Sequence, residues 1–261
     1  MSEIDDKLYL ARVCHLSGLP EETLKYMEEV INLKNGNINE EENNLFFNSL
    51  KSLINFRRES WRTINALESK EIKNKSSLLP RVTELKKSLE EEIRKLVNKG
   101  IEIIDDKLLK ETISDEFKVI YCKIKADYIR YIIELTTKDK EEERNILIEN
   151  ADKNYKIGLN FSESLSELNT AKIGLILNYS VFLYEIIKDY KKAYVLANNT
   201  YKKAVKIINE ENHDLTNLKE INKMLDLFKE NISIWADTNV QENVENIASE
   251  IQPEQEENTP S

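Results

Sequence analysis

Glycine and proline are scarce in this chain, with five Gly and four Pro among 261 residues. So few breakers exclude a collagen-like, linker-rich or many-turned β protein. Only two cysteines occur, Cys14 and Cys122. They cannot staple a fold of this length, so the chain reads as reduced and cytoplasmic. The two histidines, His15 and His213, lie near opposite ends of the sequence, and no triad or metal-ligand spacing joins them. The glycines are scattered singly, so no glycine-rich loop cradles a phosphate. No nucleophile–base pair stands out either, so neither catalysis nor a metal or cofactor is expected. The N-terminus, Met1-Ser2-Glu3-Ile4-Asp5-Asp6, is acidic where a signal peptide would be basic and then apolar. Long apolar runs are missing too. The richest, Ile173 to Ile187, is broken by Asn178 and Glu185 and falls short of the ~20 residues that span a bilayer. A basic excess is also absent, because 38 Lys and Arg against 48 Asp and Glu give a net charge of -10. Nucleic acid and membrane are therefore not expected partners.

What remains is rich in helix formers. The chain is 40% hydrophobic and 33% charged, enough to exclude disorder and fill a sizeable core. Nearly every long segment repeats apolar residues at helical spacing. The pattern predicts an all-α fold of nine helices, at roughly 3–17, 20–33, 40–70, 80–106, 114–137, 140–161, 170–188, 190–209 and 215–238. Gly18-Leu19-Pro20 and Lys34-Asn35-Gly36-Asn37 carry turn chemistry, and Pro80 suits a helix start. Short connections between long helices make antiparallel neighbours. Residues 239–261 differ from this 1–238 helical domain. They lack Lys and Arg and hold six Glu, which is six of the ten excess negative charges and leaves four on residues 1–238. They read as an acidic tail, flexible when free.

Inside this acidic chain, cations gather on two helix faces. Lys51, Arg58 and Arg62 are spaced seven and four apart and share one face. Three stacked cations repel each other unless something anionic sits there. A second helix places Lys123, Asp127, Arg130 and Tyr131 on one face. Asp127 can hold an arginine, and Tyr131 offers a neutral hydroxyl donor. Two Arg, a Lys and a Tyr hydroxyl suit a dianionic phosphate; spacing alone also permits two solvated faces neutralised by neighbouring Glu. Two later helices carry Asn178, Val181 and Glu185, and Met224, Leu227, Asn231 and Trp235, each set on one face. An Asn amid apolar residues can grip an extended peptide backbone, or can serve ordinary core packing.

These stretches resemble the 14-3-3 family. Arg57-Arg58-Glu59-Ser60-Trp61-Arg62 is similar to its Arg-Arg-x-Ser-Trp-Arg signature. Tyr121-Cys122-Lys123-Ile124-Lys125-Ala126-Asp127-Tyr128-Ile129-Arg130-Tyr131 is similar to Tyr-Leu-Lys-Met-Lys-Gly-Asp-Tyr-Tyr-Arg-Tyr. Leu177-Asn178-Tyr179-Ser180-Val181-Phe182 and Asn231-Ile232-Ser233-Ile234-Trp235 match Leu-Asn-Phe-Ser-Val-Phe and Asn-Leu-Thr-Leu-Trp. The resemblance implies nine antiparallel helices around a concave groove that binds phosphoserine or phosphothreonine segments of client proteins. Carried over by position, Lys51, Arg58, Arg130 and Tyr131 hold the phosphate. Asn178 and Asn231 hold the peptide backbone, supported by Glu185 and Trp235. Lys123 sits on the groove floor, and Leu177, Val181, Leu227 and Ile234 line the apolar wall.

The sequence also departs from the family. Lys223 and Asn48 stand where apolar groove residues are usual. Leu19, Pro20 and Ser88 replace residues of the usual dimer contacts, whereas Glu22 and Glu92 remain. A homodimer is still expected, driven by Val13, Leu85 and Leu89. The end of the chain, Asn258-Thr259-Pro260-Ser261, resembles a C-terminal ligand of the family. Phosphorylated at Thr259 or Ser249, the tail is a candidate to fill its own or a neighbour's groove and inhibit client binding; the alternative is an acidic tail that only keeps the chain soluble. The alternative architecture, an α-solenoid scaffold of helix pairs reading unphosphorylated termini, needs repeats near ~34 residues that the sequence lacks.

Overall fold

A computed structural model describes residues 2–110, 112–137, 139–210 and 217–250, with side chains through 236. Among these residues are nine α-helices and no strand. They are α1 (Glu3–Leu16), α2 (Pro20–Leu33), α3 (Glu40–Lys73), α4 (Leu79–Ile103), α5 (Asp115–Leu135), α6 (Glu141–Ser162), α7 (Thr170–Phe182), α8 (Tyr190–Glu210) and α9 (Leu218–Glu250).

Helix starts follow the local chemistry. Ser2 with Asp5, and Asn39 with Glu42, form reciprocal capping boxes on α1 and α3. Asn169 caps α7 by accepting from the Lys172 amide at 3.1 Å. Pro20 and Pro80 occupy first turns, where the missing N–H costs nothing.

Three helix ends differ from the periodic pattern. Helices α4 and α7 each pass into a five-residue π-helical turn, Ile104–Leu108 and Leu183–Ile187. The second closes on Lys188, whose φ of 65° is left-handed. Helix α9 runs to Glu250 instead of stopping near Thr238. No Gly or Pro interrupts it before Pro253. Part of the expected free tail thus has helical backbone, and residues 251–261, with Thr259, lie outside the described residues. Thr170–Ile187 is also longer than the apolar run read from sequence. Its 18 residues are long and apolar enough to cross a membrane by length and composition, yet 56% of them are buried, as in a core helix.

The chain divides into two compact units, Met1–Ser114 with Ile124–Ala151, and Asp115–Lys123 with the chain from Asp152 on. In the first, α3 and α4 run antiparallel. Trp61 Nε1 donates to Glu90 at 2.8 Å, and further along α3 Glu68 accepts from Thr83 at 2.6 Å, so α3 numbers rise as α4 numbers fall. Met27, Phe46, Leu50, Ile54, Ile93 and Val97 fill this core. In the second unit α6 and α7 run antiparallel, with the Tyr179 hydroxyl donating to Asp152 at 2.9 Å. The rings of Tyr179 and Phe182 each lie 5.2 Å from that of Tyr155, and these three, with Phe228, form the aromatic core. Helices α7 and α9 run parallel: Met224 lies by Gly174, and Trp235 stacks on Tyr184 at 4.7 Å.

Candidate functional site

The first unit brings the expected cations together. Lys51, Arg58 and Arg62 project from α3, and Asp127, Arg130 and Tyr131 from α5. Arg58 lies flat over the Tyr131 ring, its guanidinium carbon 3.7 Å from the ring centre. The Arg130 guanidinium carbon is 5.7 Å from the same centre. One buried tyrosine therefore organises both arginines. Arg130 Nη2 is 4.0 Å from Asp127 Oδ1. Lys51 is exposed and forms no ion pair among the described residues.

The sequence reading missed Glu134. Its Oε2 accepts from Arg58 Nε at 3.0 Å and Nη2 at 2.6 Å, and its Oε1 accepts from Arg62 Nε at 2.5 Å. This carboxylate is the anion that lets Arg58 and Arg62 stand four residues apart on one face. The signal was present in the sequence, because Glu134 falls seven residues after Asp127 and four after Arg130, on their side of α5. Burial pushes the Glu134 carboxyl upward, but hydrogen bonds from Arg62 and Arg58 and their charges outweigh that and hold it below the usual carboxylate range. A lowered folded pKa stabilises above the ordinary carboxylate range, and that stabilisation is lost as pH falls through the lowered pKa. Replacing Glu134 with alanine leaves the half-buried Arg58 without its main acceptor. The expected cost is about 1–3 kcal/mol in chemical denaturation near neutral pH. A variant as stable as the parent would remove Glu134 from this role.

The charge balance of the cluster favours an anion. Lys51, Arg58, Arg62 and Arg130 stand against three carboxylates, Asp127, Glu134 and the Glu59 that acts on Arg62, leaving one positive charge in excess. Arg58 has five N–H donors. Three are engaged, two by Glu134 and one by Asn55 Oδ1 at 3.3 Å. The other two, one on each terminal nitrogen, form a fork suited to a phosphate oxygen pair.

The second unit carries the other expected residues. Leu177 is buried, and Asn178 and Val181 are half-buried on α7, while Glu185 is exposed in the π-helical turn. On α9, Leu227 and Ile234 are 48% and 62% exposed, with half-buried Asn231 between them on the same face. They form an apolar stripe open to solvent. Trp235 is buried against Tyr184. The Gly174–Met224 and Tyr184–Trp235 contacts bracket Asn178 and Asn231 along the paired helices. The Lys123 stem lies 3.7 Å from a Cβ placed on Gly174, an ordinary contact distance, so it runs beside α7. Lys223 is exposed, and among the described residues no His, Cys, Asp and Glu group is arranged to hold a metal.

Among the residues expected to pair two copies, Val13 and Leu85 are exposed and Leu89 half-exposed. Glu22 is exposed. Glu92 accepts from Arg57 Nε at 2.8 Å within the chain, so its charge is already met. Ser249 falls in the last turn of α9.

A family model described as 14-3-3 protein matches residues 10–236. The chain is 30% identical over 239 residues to 14-3-3 protein 2 of Entamoeba histolytica, covering 90% of this chain and 97% of that one. It is 27% identical over 254 residues to a 14-3-3-like protein of Helianthus annuus, covering 96% of each. It is 28% identical over 238 residues to 14-3-3 protein homolog 1 of Schistosoma mansoni, covering 89% and 92%.

Proposed function

The chain belongs to the 14-3-3 family and acts as a phosphopeptide-binding adaptor, and on that premise we propose how it grips its clients. Arg58, Arg130 and Tyr131 hold the phosphate, with Lys51 supplying further charge. Asn178 and Asn231 hold the peptide backbone, supported by Glu185 and Trp235. Leu177, Val181, Leu227 and Ile234 take the apolar side chains, with Lys123 beside them. The observation that carries this reading is the Arg58–Tyr131–Arg130 arrangement, where Arg58 keeps two N–H donors after Glu134 and Asn55 are served. The work is recognition and holding, without catalysis, in the cytoplasm, where Cys14 and Cys122 stay unbridged.

Two finer statements complete the proposal. The exposed apolar residues Val13, Leu16, Phe56 and Leu85 of α1, α3 and α4 pair two copies into a homodimer. The acidic tail, phosphorylated at Thr259 (or Ser249), competes with clients as a tethered ligand at high effective concentration.

Titration of a phosphoserine peptide and its unphosphorylated form tests the adaptor. Only the first is expected to bind, and equal affinity for both would remove the phosphate reading. The same titration compares the Thr259-phosphorylated chain with one ending at Glu250, which keeps α9 whole. The shortened chain is expected to bind clients several-fold more tightly, and equal affinity would remove the tail from the mechanism. Sedimentation velocity on both chains reports the dimer, which a purely monomeric profile would exclude.

A further inference from the structure

A cavity of about 780 Å³ lies in the second unit, lined by α6, α7 and α8. Its size is that of a small-molecule site. It opens on the face of α7 opposite the proposed peptide residues. Lys172, Ile176 and Tyr179 line it at i, i+4 and i+7, whereas Asn178 and Val181 follow Ile176 and Tyr179 by two positions, or about 200° around the helix.

The floor is hydrocarbon, from Leu159, Ile176, Leu196 and the half-open Val195. Tyr179 adds a ring whose hydroxyl is already donated to Asp152. The fringe is cationic. Lys191, Lys192 and Lys203 line the cavity and form no ion pair among the described residues. Lys192, Leu196, Asn199 and Lys203 follow one stripe of α8, with a lysine at each end. Lys172 is buried in the wall. Its ammonium donates to Glu167 at 2.8 Å and to the Leu165 carbonyl at 3.3 Å, leaving one of three N–H groups over. Acidic groups are fewer. Glu167 is spent on Lys172, and Asp189 caps α8 through the Lys192 amide at 3.0 Å, so Glu163 is the remaining carboxylate. Lys156 is paired with Asp152, so five lysines against four acids leave one positive charge in excess, in a chain whose net charge is -10.

We infer that this cleft binds a long-chain fatty acid as its carboxylate. The acyl chain lies on the Leu159–Ile176–Leu196–Val195 floor, and the carboxylate meets Lys191, Lys192 and Lys203 of α8. A peptide suits the floor poorly, because most of its amides would lie against hydrocarbon with only Ser162, Asn199 and Thr200 to meet them, whereas an acyl chain brings none. A neutral lipid leaves the lysine fringe unused.

The test is binding of hexadecanoate below its micellar concentration to the full chain, beside hexadecanol and hexadecyltrimethylammonium. Saturable, one-to-one binding of hexadecanoate alone is expected. Two variants then probe the two halves of the cleft. Lys191→Glu/Lys192→Glu/Lys203→Glu reverses the fringe, and Val195→Glu charges the floor at a position exposed enough to keep the fold. Each is expected to weaken hexadecanoate at least tenfold while phosphopeptide affinity stays as in the parent. Arg58→Ala/Arg130→Ala is expected to keep hexadecanoate binding intact. Comparable binding of the alcohol or the cation, unchanged affinity in both cleft variants, or loss of hexadecanoate in the Arg58/Arg130 variant would each overturn the inference.

Discussion

Changing Arg58 and Arg130 together to alanine is expected to weaken binding of a phosphoserine peptide by about 100- to 10,000-fold. Each guanidinium offers a dianionic phosphate charge-assisted hydrogen bonds worth roughly 1.5–3 kcal/mol, and the two losses compound. Long-range attraction gives little compensation, since residues 1–238 carry a net charge of -4. Capture must therefore come from short-range contacts. The fold should survive the change. Both arginines pack against the ring of Tyr131, which stays buried in its own unit, and Glu134 keeps Arg62 as a partner. Titration calorimetry on the double variant, with circular dichroism to confirm helicity, measures the effect. Affinity within about threefold of the parent would mean that the phosphate is held elsewhere. Arg58→Lys sharpens the comparison, because it keeps the charge and removes the fork, and so should recover only part of the loss.

Gly36→Ala is expected to destabilise the first unit by about 2–5 kcal/mol. Two separate costs meet at this residue. Its φ of +75° lies in the left-handed region, which costs an L side chain roughly 1–2 kcal/mol. A Cβ there would also sit 1.9 Å from the Lys107 carbonyl oxygen, and backbone must move to admit it. The turn between α2 and α3 is thus clamped against the π-helical turn that ends α4. Thermal unfolding should show a midpoint lowered by on the order of 10 °C. Gly18→Ala separates the two costs, since Gly18 has a φ of +70° but nothing within 4 Å of its Cβ position. It should lose only the conformational part. Equal losses at the two glycines would show that the Lys107 contact does not matter.

The sequence was most informative where structure is local. Breakers placed the helix starts to within a few residues, because Gly18, Pro20, Gly36 and Pro80 act on their nearest neighbours. The cationic faces of α3 and α5 followed from helical spacing, and so did the face of α9 that carries Leu227 and Asn231, whereas Ile234 came from the family resemblance. Glu134 was overlooked for a different reason. Its partners Arg58 and Arg62 stand 76 and 72 residues away, so only packing of α5 beside α3 reveals the pair. The two π-helical turns were equally hidden, because apolar periodicity does not register one extra residue in a turn. The end of α9 was placed too early, because its charge composition was weighed above the absence of a breaker before Pro253.

The sequence by itself determined an all-helical chain, the segments that form each helix, and the faces on which cations, amides and apolar residues lie. These follow from backbone propensity and a 3.6-residue period, both short-range properties. The tertiary structure decided which charges are already spent. It assigned Glu134 to Arg58 and Arg62, Glu92 to Arg57 and Asp152 to Tyr179, and gave Lys51, Lys191, Lys192 and Lys203 no ion pair among the described residues. Electrostatic pairing depends on distances of a few ångströms between residues far apart in the chain, and only packing of the helices sets those distances.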